Sequence, residues 1–155
     1  MICGLPCSGK TTLGKELEVS LPALRLSPDE WIVWLCGAEI AGEALDAARD
    51  PIEEALWELA ARILGLGIDV ILEYGFWSRS EREHYRRQAA QLGARSEVHF
   101  THASEQELLR RLAIRNADLP AGTFRIEEAR LVEWMALFEA PDAEELQPRE
   151  APRRG

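Results

Sequence analysis

Apolar residues along this chain fall into short continuous runs, separated by longer stretches in which they recur every three or four positions. The clearest run is Val70-Ile71-Leu72 within Ile68 to Tyr74. An unbroken apolar stretch of that length suits a parallel strand covered on both faces. Ala23 to Leu26 and Glu97 to Thr101 read as two more strands, and Met1 to Cys3 as the end of another. The intervening stretches carry the helical period: Leu56, Leu59, Ala60, Ile63 and Leu64 form one stripe.

Capping residues mark where helices begin. In Ser27-Pro28-Asp29-Glu30, Ser27 is the N-cap, Pro28 takes the first helical position and Glu30 completes a capping box. Asp50-Pro51-Ile52-Glu53 repeats that grammar and predicts a helix running from there to Gly65 or Gly67. Ser80 with Glu83, and Ser104 with Glu107, open helices that extend to about Leu92 and Asn116. A first helix is expected from about Lys10 to Val19, stopped by Pro22, and a last one from Ile126 to Phe138. Four strands alternating with helices predict an α/β fold, a parallel sheet with helices on both faces. One domain spans residues 1–140. From Pro141, prolines and charges predict a flexible C-terminal tail over residues 141–155.

Composition narrows the setting. The 155 residues are 46% hydrophobic and 29% charged, enough for one domain with its own core. The formal net charge of -9 argues against a general nucleic-acid binder, which needs a basic surface to displace counterions. No apolar run reaches the length of a membrane span. Cys3, Cys7 and Cys36 are odd in number and lack paired spacing, so a cytoplasmic protein is expected rather than a disulfide scaffold or zinc site.

The chemistry concentrates in Gly4-Leu5-Pro6-Cys7-Ser8-Gly9-Lys10-Thr11, which fits G-x-x-x-x-G-K-[ST] without deviation. A polyphosphate is highly anionic and has to be gripped closely. Backbone N–H groups from Cys7 to Thr12 can converge on it only where the loop lacks bulk. The helix that follows points its positive end at the same place. The motif therefore predicts a nucleotide site made by Pro6, Cys7, Ser8, Gly9, Lys10, Thr11 and Thr12. Lys10 bridges the β- and γ-phosphates of ATP and the Thr11 hydroxyl binds Mg²⁺.

Other candidates lie where strands end, the edge at which open parallel sheets bind ligands. Asp29, just after the second strand, fits either of two roles: compensation of a helix dipole, or a base that takes a proton from an acceptor hydroxyl. Glu73 closes the third strand. It is a candidate for holding Mg²⁺ through a water, for pairing with Lys10, or for contacting the acceptor. Trp31, Phe76, Trp77 and Arg79 are candidates for the acceptor side, although inward packing is the ordinary fate of such aromatics and surface arginines are common. Arg110, Arg111, Arg115 and Arg125 cluster around residues 116–123. Either they form a solvated helix face, or they belong to a lid over about residues 110–125 whose Arg115, with Arg111 one turn earlier, neutralises phosphate charge.

The segments GLPCSGKTTL, LSPDEW, VILEYGFWSRSERE and LAIRNADLPAGTFRI occur in the order seen in a known group. The chain resembles the small bacterial P-loop kinases of the AAA_33 and zeta-toxin type, similar to chloramphenicol phosphotransferase and the kinase domain of phage polynucleotide kinase. The resemblance covers about residues 1–140. It implies a three-layer P-loop NTPase fold with a small lid, Asp29 as general base, and Arg115-Asn116 as the lid pair that meets the nucleotide. Glu73 corresponds to the acid ending strand three, where many relatives have aspartate. The first strand is shorter than the family's usual one, and a fifth strand is not evident. The function expected is an ATP- and Mg²⁺-dependent transfer of the γ-phosphoryl group to a hydroxyl of a small molecule. A 5′-hydroxyl nucleic-acid kinase and a nucleotide-binding regulatory or toxin-type module with little turnover are the alternatives.

Overall fold

A computed structural model describes residues 1–150. The order of elements is β1 (Ile2–Cys3), α1 (Lys10–Ser20), β2 (Ala23–Leu26), α2 (Pro28–Cys36), α3 (Gly42–Gly65), β3 (Asp69–Leu72), α4 (Arg79–Gln91), β4 (His99–Phe100), α5 (Glu105–Ala117) and α6 (Glu128–Leu137). β2 pairs with β3, and β1 with β4, each in parallel. Beyond Leu72 the chain runs on to Gly75, which bridges to Cys3 in parallel; the Gly4 N–H donates to the Gly75 carbonyl at 2.9 Å. That bridge joins the two ladders in the spatial order β2-β3-β1-β4. The carboxyl ends of all four strands therefore reach one edge. The fold is the expected α/β one, a parallel sheet with six helices around it among the described residues.

The core lies between this sheet and the helices. Cys3, Leu26, Leu72 and Phe76 from the sheet side meet Ile32, Leu56, Leu112 and Leu131 from four helices. Each such side chain, once fully buried, contributes roughly 1.5–3 kcal/mol by removal from water. Among the described residues, no helix is long and apolar enough to cross a membrane.

Five features depart from the expectations. The third helix does not begin at Pro51. It begins at Gly42 and carries Pro51 in its interior. Proline costs the helix one backbone bond there. Leu45, Ile52, Leu56 and Ala60 share one buried face across it, and that burial holds the helix continuous. Glu30 does not complete a capping box at Ser27; it turns instead to Arg25 of β2, at 2.7 and 2.8 Å. The α4 box sits two residues early, with the Ser78 hydroxyl accepting from the Glu81 N–H at 3.1 Å. The last helix begins at Glu128, because Ile126 is drawn away by Asn116: the Asn116 side chain donates to the Ile126 carbonyl at 2.7 Å and accepts its N–H at 3.4 Å.

The fifth departure is the C-terminal segment. Residues 141–150, expected to be loose, fold back on α4. Arg82 and Glu145 form a two-pronged ion pair at 2.7 and 3.1 Å, with relative exposures of only 1% and 2%. Ser96 and Arg149 exchange backbone hydrogen bonds at 2.9 Å each way, and Arg149 pairs with Glu83. Charge in this segment is thus matched to charge on α4, which composition alone does not reveal. Residues 151–155 of the expected tail lie outside the described residues.

Candidate active site

The glycine-rich loop is shaped by backbone geometry that few residues tolerate. Gly4 starts it, and a Cβ there would lie 2.5 Å from the Thr101 hydroxyl and 2.6 Å from the Thr101 carbonyl. Only glycine allows the end of β4 to approach so closely. Cys7 (φ 64°) and Gly9 (φ 107°) both take left-handed conformations and curl the loop over the start of α1. Ser8 is buried and shares a 2.7 Å hydrogen bond with the Thr101 hydroxyl. Thr101 was not singled out in the sequence, although its place at the end of β4 is the same kind of signal that flagged Asp29 and Glu73.

Lys10 curls back across the loop and donates to the Leu5 carbonyl at 2.8 Å. Burial draws its pKa down, while the Asp29 and Glu73 carboxylates pull the other way. A polyphosphate arriving here would meet an ammonium short of anionic partners. Arg111 reaches the same loop from α5, its Nη1 donating to the Cys7 carbonyl at 3.2 Å. Arg115 donates to the Phe124 carbonyl at 3.1 Å, and its buried Nε has no hydrogen-bond partner among the described residues. Lys10, Thr11, Thr12, Arg111 and Arg115 all line one cavity of about 790 Å³, closed on its far side by residues 120–123.

Glu73 stands at the base of this cavity. One carboxylate oxygen accepts from the Thr11 hydroxyl, and the other meets Arg25 Nη1 at 2.7 Å. α1 fits over this pair because Gly14 carries no side chain: a Cβ there would be 2.9 Å from Arg25 Cδ and 3.2 Å from Glu73 Oε2. Thr11 and Glu73 offer hard oxygen donors, the kind Mg²⁺ accepts alongside waters and phosphate oxygens. The donor set fits that ion.

Asp29, in the first turn of α2, accepts from Arg49 Nη2 at 3.0 Å. Arg49 turns its other nitrogen to Glu53 at 3.3 Å, so α3 holds Asp29 in place. A second cavity of about 380 Å³ opens beyond, lined by Asp46, Arg49, Asp50, Glu53, Tyr74, Trp77, Glu81, Phe124 and Trp134. Pro6, Lys10, Asp29 and Glu73 line both cavities. The two spaces meet at those four residues. A further cavity of about 540 Å³, around Met1, Ile68 and Glu97, lies at the amino end of the sheet and includes no loop residue.

Of Trp31, Phe76, Trp77 and Arg79, expected on the acceptor side, Trp77 lines the second cavity beside Asp29 and Glu73, and the other three do not. Phe76 is fully buried, stacked on Tyr74 at 5.5 Å with rings 7° apart, and is a core residue. Arg79 is drawn to the C-terminal segment by Asp142 at 2.8 Å. Trp31 packs edge-on against Trp34 at 5.4 Å, outside both cavities. Sequence reasoning missed Arg49, Glu53, Glu81 and Trp134. The spacing of Arg49 and Glu53, four apart on a helix, was the available signal; starting that helix at Pro51 hid it.

Comparison with known proteins agrees with this geometry. Among solved structures, the fold is similar to a protein from Chloroflexus aurantiacus J-10-fl described as a "putative kinase", with TM-score 0.72 and 23% identity over 91% of this chain and 79% of that one. It is similar to Kti12 of Chaetomium thermophilum in complex with ADP-AlF3, with TM-score 0.70 and 20% identity over 92% and 81%. A gluconokinase from Sinorhizobium meliloti 1021 gives TM-score 0.62 and 20% identity over 94% and 77%. No curated protein sequence matches. The family model AAA_33, described as an AAA domain, matches residues 1–141, and the chain belongs to that family, with the three-layer fold of the P-loop NTPases.

Proposed function

We propose that the protein is a phosphotransferase that moves the γ-phosphoryl group of ATP to a hydroxyl of a small-molecule acceptor. One observation carries this reading: the phosphate-loop cavity and the second cavity share Lys10, Asp29 and Glu73 as a common wall. A donor in one and an acceptor in the other would face each other there. Bringing two reactants together in that way removes much of the entropic barrier to their reaction.

The polyphosphate lies in the loop, with Lys10 and the backbone N–H groups around it. Thr11 and Glu73 would hold Mg²⁺, which would supply positive charge to offset that of the polyphosphate. Asp29, oriented by Arg49, accepts the hydrogen bond of the acceptor hydroxyl. As the acceptor oxygen bonds to the γ-phosphorus, the bond from that phosphorus to the β,γ-bridging oxygen breaks and ADP leaves. The hydroxyl proton passes to Asp29. In a loose transition state this proton moves late, so Asp29 acts first by positioning. Arg115 places its guanidinium toward the transferring group.

A 5′-hydroxyl nucleic-acid acceptor suits the second cavity poorly. Its lining holds six carboxylates, Asp29, Asp46, Asp50, Glu53, Glu73 and Glu81, against Lys10 and Arg49. A phosphodiester backbone would be repelled by that wall.

The test is a screen of hydroxyl-bearing acceptors with γ-labelled ATP, run beside Asp29→Asn. That change keeps the shape and removes the proton acceptor. ATP binding should stay nearly intact while transfer falls roughly 10²-fold or more. Loss of Mg²⁺-dependent ATP binding in Asp29→Asn would move Asp29 to the metal site. No change in binding or transfer would reduce it to a helix-dipole residue.

A further inference from the structure

The second cavity is not neutral. On its side away from the phosphates stand Asp46, Asp50, Glu53 and Glu81, and the only cation in the lining beyond Lys10 is Arg49. Arg130 neutralises Asp46, at 2.7 and 2.9 Å. Arg49 is divided between Asp29 and Glu53. No side-chain cation among the described residues pairs with Asp50 or Glu81; one Glu81 oxygen accepts from the Trp77 N–H at 2.8 Å. The wall thus keeps an excess of negative charge and offers acceptors without matching donors.

The remaining wall is aromatic. Trp77 and Trp134 pack with ring centroids 5.2 Å apart and their planes tilted by 59°. Such rings receive both the C–H faces of a saturated ring and the charge of an ammonium group. The volume of about 380 Å³ lies near the small end of ligand pockets, the range of one sugar-sized ring.

We propose that the acceptor is a hydroxylated amine of monosaccharide size, its ammonium group received by Glu53 and its reacting hydroxyl presented to Asp29. The inference rests on the phosphotransferase reading and names the substrate class of the same site. Both carboxylates bind the same Arg49 guanidinium, so one small molecule can touch both. A neutral polyol would satisfy hydrogen bonds but leave the excess charge in a space it has partly dried. An anionic acceptor would add to the repulsion. An ammonium ion removes the imbalance and makes charge-assisted hydrogen bonds. The state of Glu53 agrees: burial pushes its carboxyl up to about 7, against the pull of Arg49 and with Glu81 and Asp50 adding to the rise. Tyr74 and Tyr85 also face it; burial raises both phenols, and the Glu53 carboxylate adds to the rise. A bound cation would relieve that strain on the ionised form.

The experiment uses two matched series with γ-labelled ATP and the full chain: glucamine, sorbitol and gluconate on one open chain, and glucosamine, glucose and glucuronate on one ring. The amine should lead its series, with kcat/KM about tenfold or more above the neutral member. Glu53→Gln should close most of that gap by raising KM for the amine, with KM for ATP unchanged. Transfer to a neutral or acidic member at equal or higher kcat/KM overturns the inference and leaves the phosphotransferase standing. So does a gap that survives Glu53→Gln. Transfer to none of the six, but to an unrelated small-molecule hydroxyl, also overturns the inference alone; transfer to a 5′-hydroxyl oligonucleotide overturns the small-molecule acceptor with it. ATP binding without transfer to any acceptor ends both readings.

Discussion

Replacing Glu145 with alanine strands a charge in the core. Arg82 is 1% exposed, and both of its prongs to Glu145 would be lost. The guanidinium would keep only neutral partners, the Phe76 carbonyl at 3.0 Å and the Glu139 carbonyl at 2.8 Å, with a weak contact to Cys3 Sγ. Removing one partner of a buried ion pair costs about 3–5 kcal/mol, most of it the penalty on the charge left behind. In a domain of this size each kcal/mol lowers Tm by roughly 2–4 °C. The expected loss is therefore about 6–20 °C, read by circular dichroism at pH 7. It should depend on pH. The Arg82 hydrogen bonds hold the Glu145 carboxyl below its ordinary value. Its stabilising contribution is thus complete above the unfolded-state value of about 4.5 and fades as pH falls through the lower native one. The gap between parent and variant should narrow in acid. A Tm within about 2 °C of the parent at pH 7 would refute the view that residues 141–150 are part of the folded domain.

Two further changes probe the phosphate side. Lys10→Ala removes the ammonium group that curls across the loop to the Leu5 carbonyl and should weaken ATP-Mg²⁺ binding by about 10- to 100-fold in calorimetry; equal affinity would sink the nucleotide site. Arg115→Ala should lower kcat by about 10²-fold or more with little change in Tm, since the structure gives its guanidinium one backbone carbonyl to hold; unchanged turnover would return Arg115 to a solvated helix face.

The parts of the fold that were legible were those written in local pattern. The continuous run Val70-Ile71-Leu72, read as a covered strand, lies in β3, and the span Ala23–Leu26 emerges with its expected bounds. The glycine loop announces itself because phosphate binding demands small residues at fixed spacing. Asp29, Glu73, Lys10 and Arg115, singled out from their places at strand ends, in the glycine loop and late in α5, line one cavity. The misses share one cause, tertiary burial overriding local grammar. Pro51 looks like a helix start, yet the buried face from Leu45 to Ala60 runs straight through it. With the helix begun too late, Arg49 and Glu53 never appeared as one face. Likewise Phe76 and Arg79 sit at the correct edge, but a strand end presents side chains in opposite directions. Phe76 turned inward and Trp77 outward. The pairing of Arg82 with Glu145 joins residues 63 apart, beyond any periodic signal.

The shared wall of Lys10, Asp29 and Glu73 has a kinetic consequence. On the proposed reading, donor and acceptor spaces open on the same three side chains, so transfer would need both molecules present together, with no phosphorylated enzyme between. Initial-rate plots should therefore intersect rather than run parallel. The same layout makes a tethered compound, a nucleotide joined through its terminal phosphate to an amino alcohol, an unusually strong inhibitor. Once one half is seated, the other binds at an effective concentration set by the short tether, a gain on the order of 10²–10⁴ over either half alone.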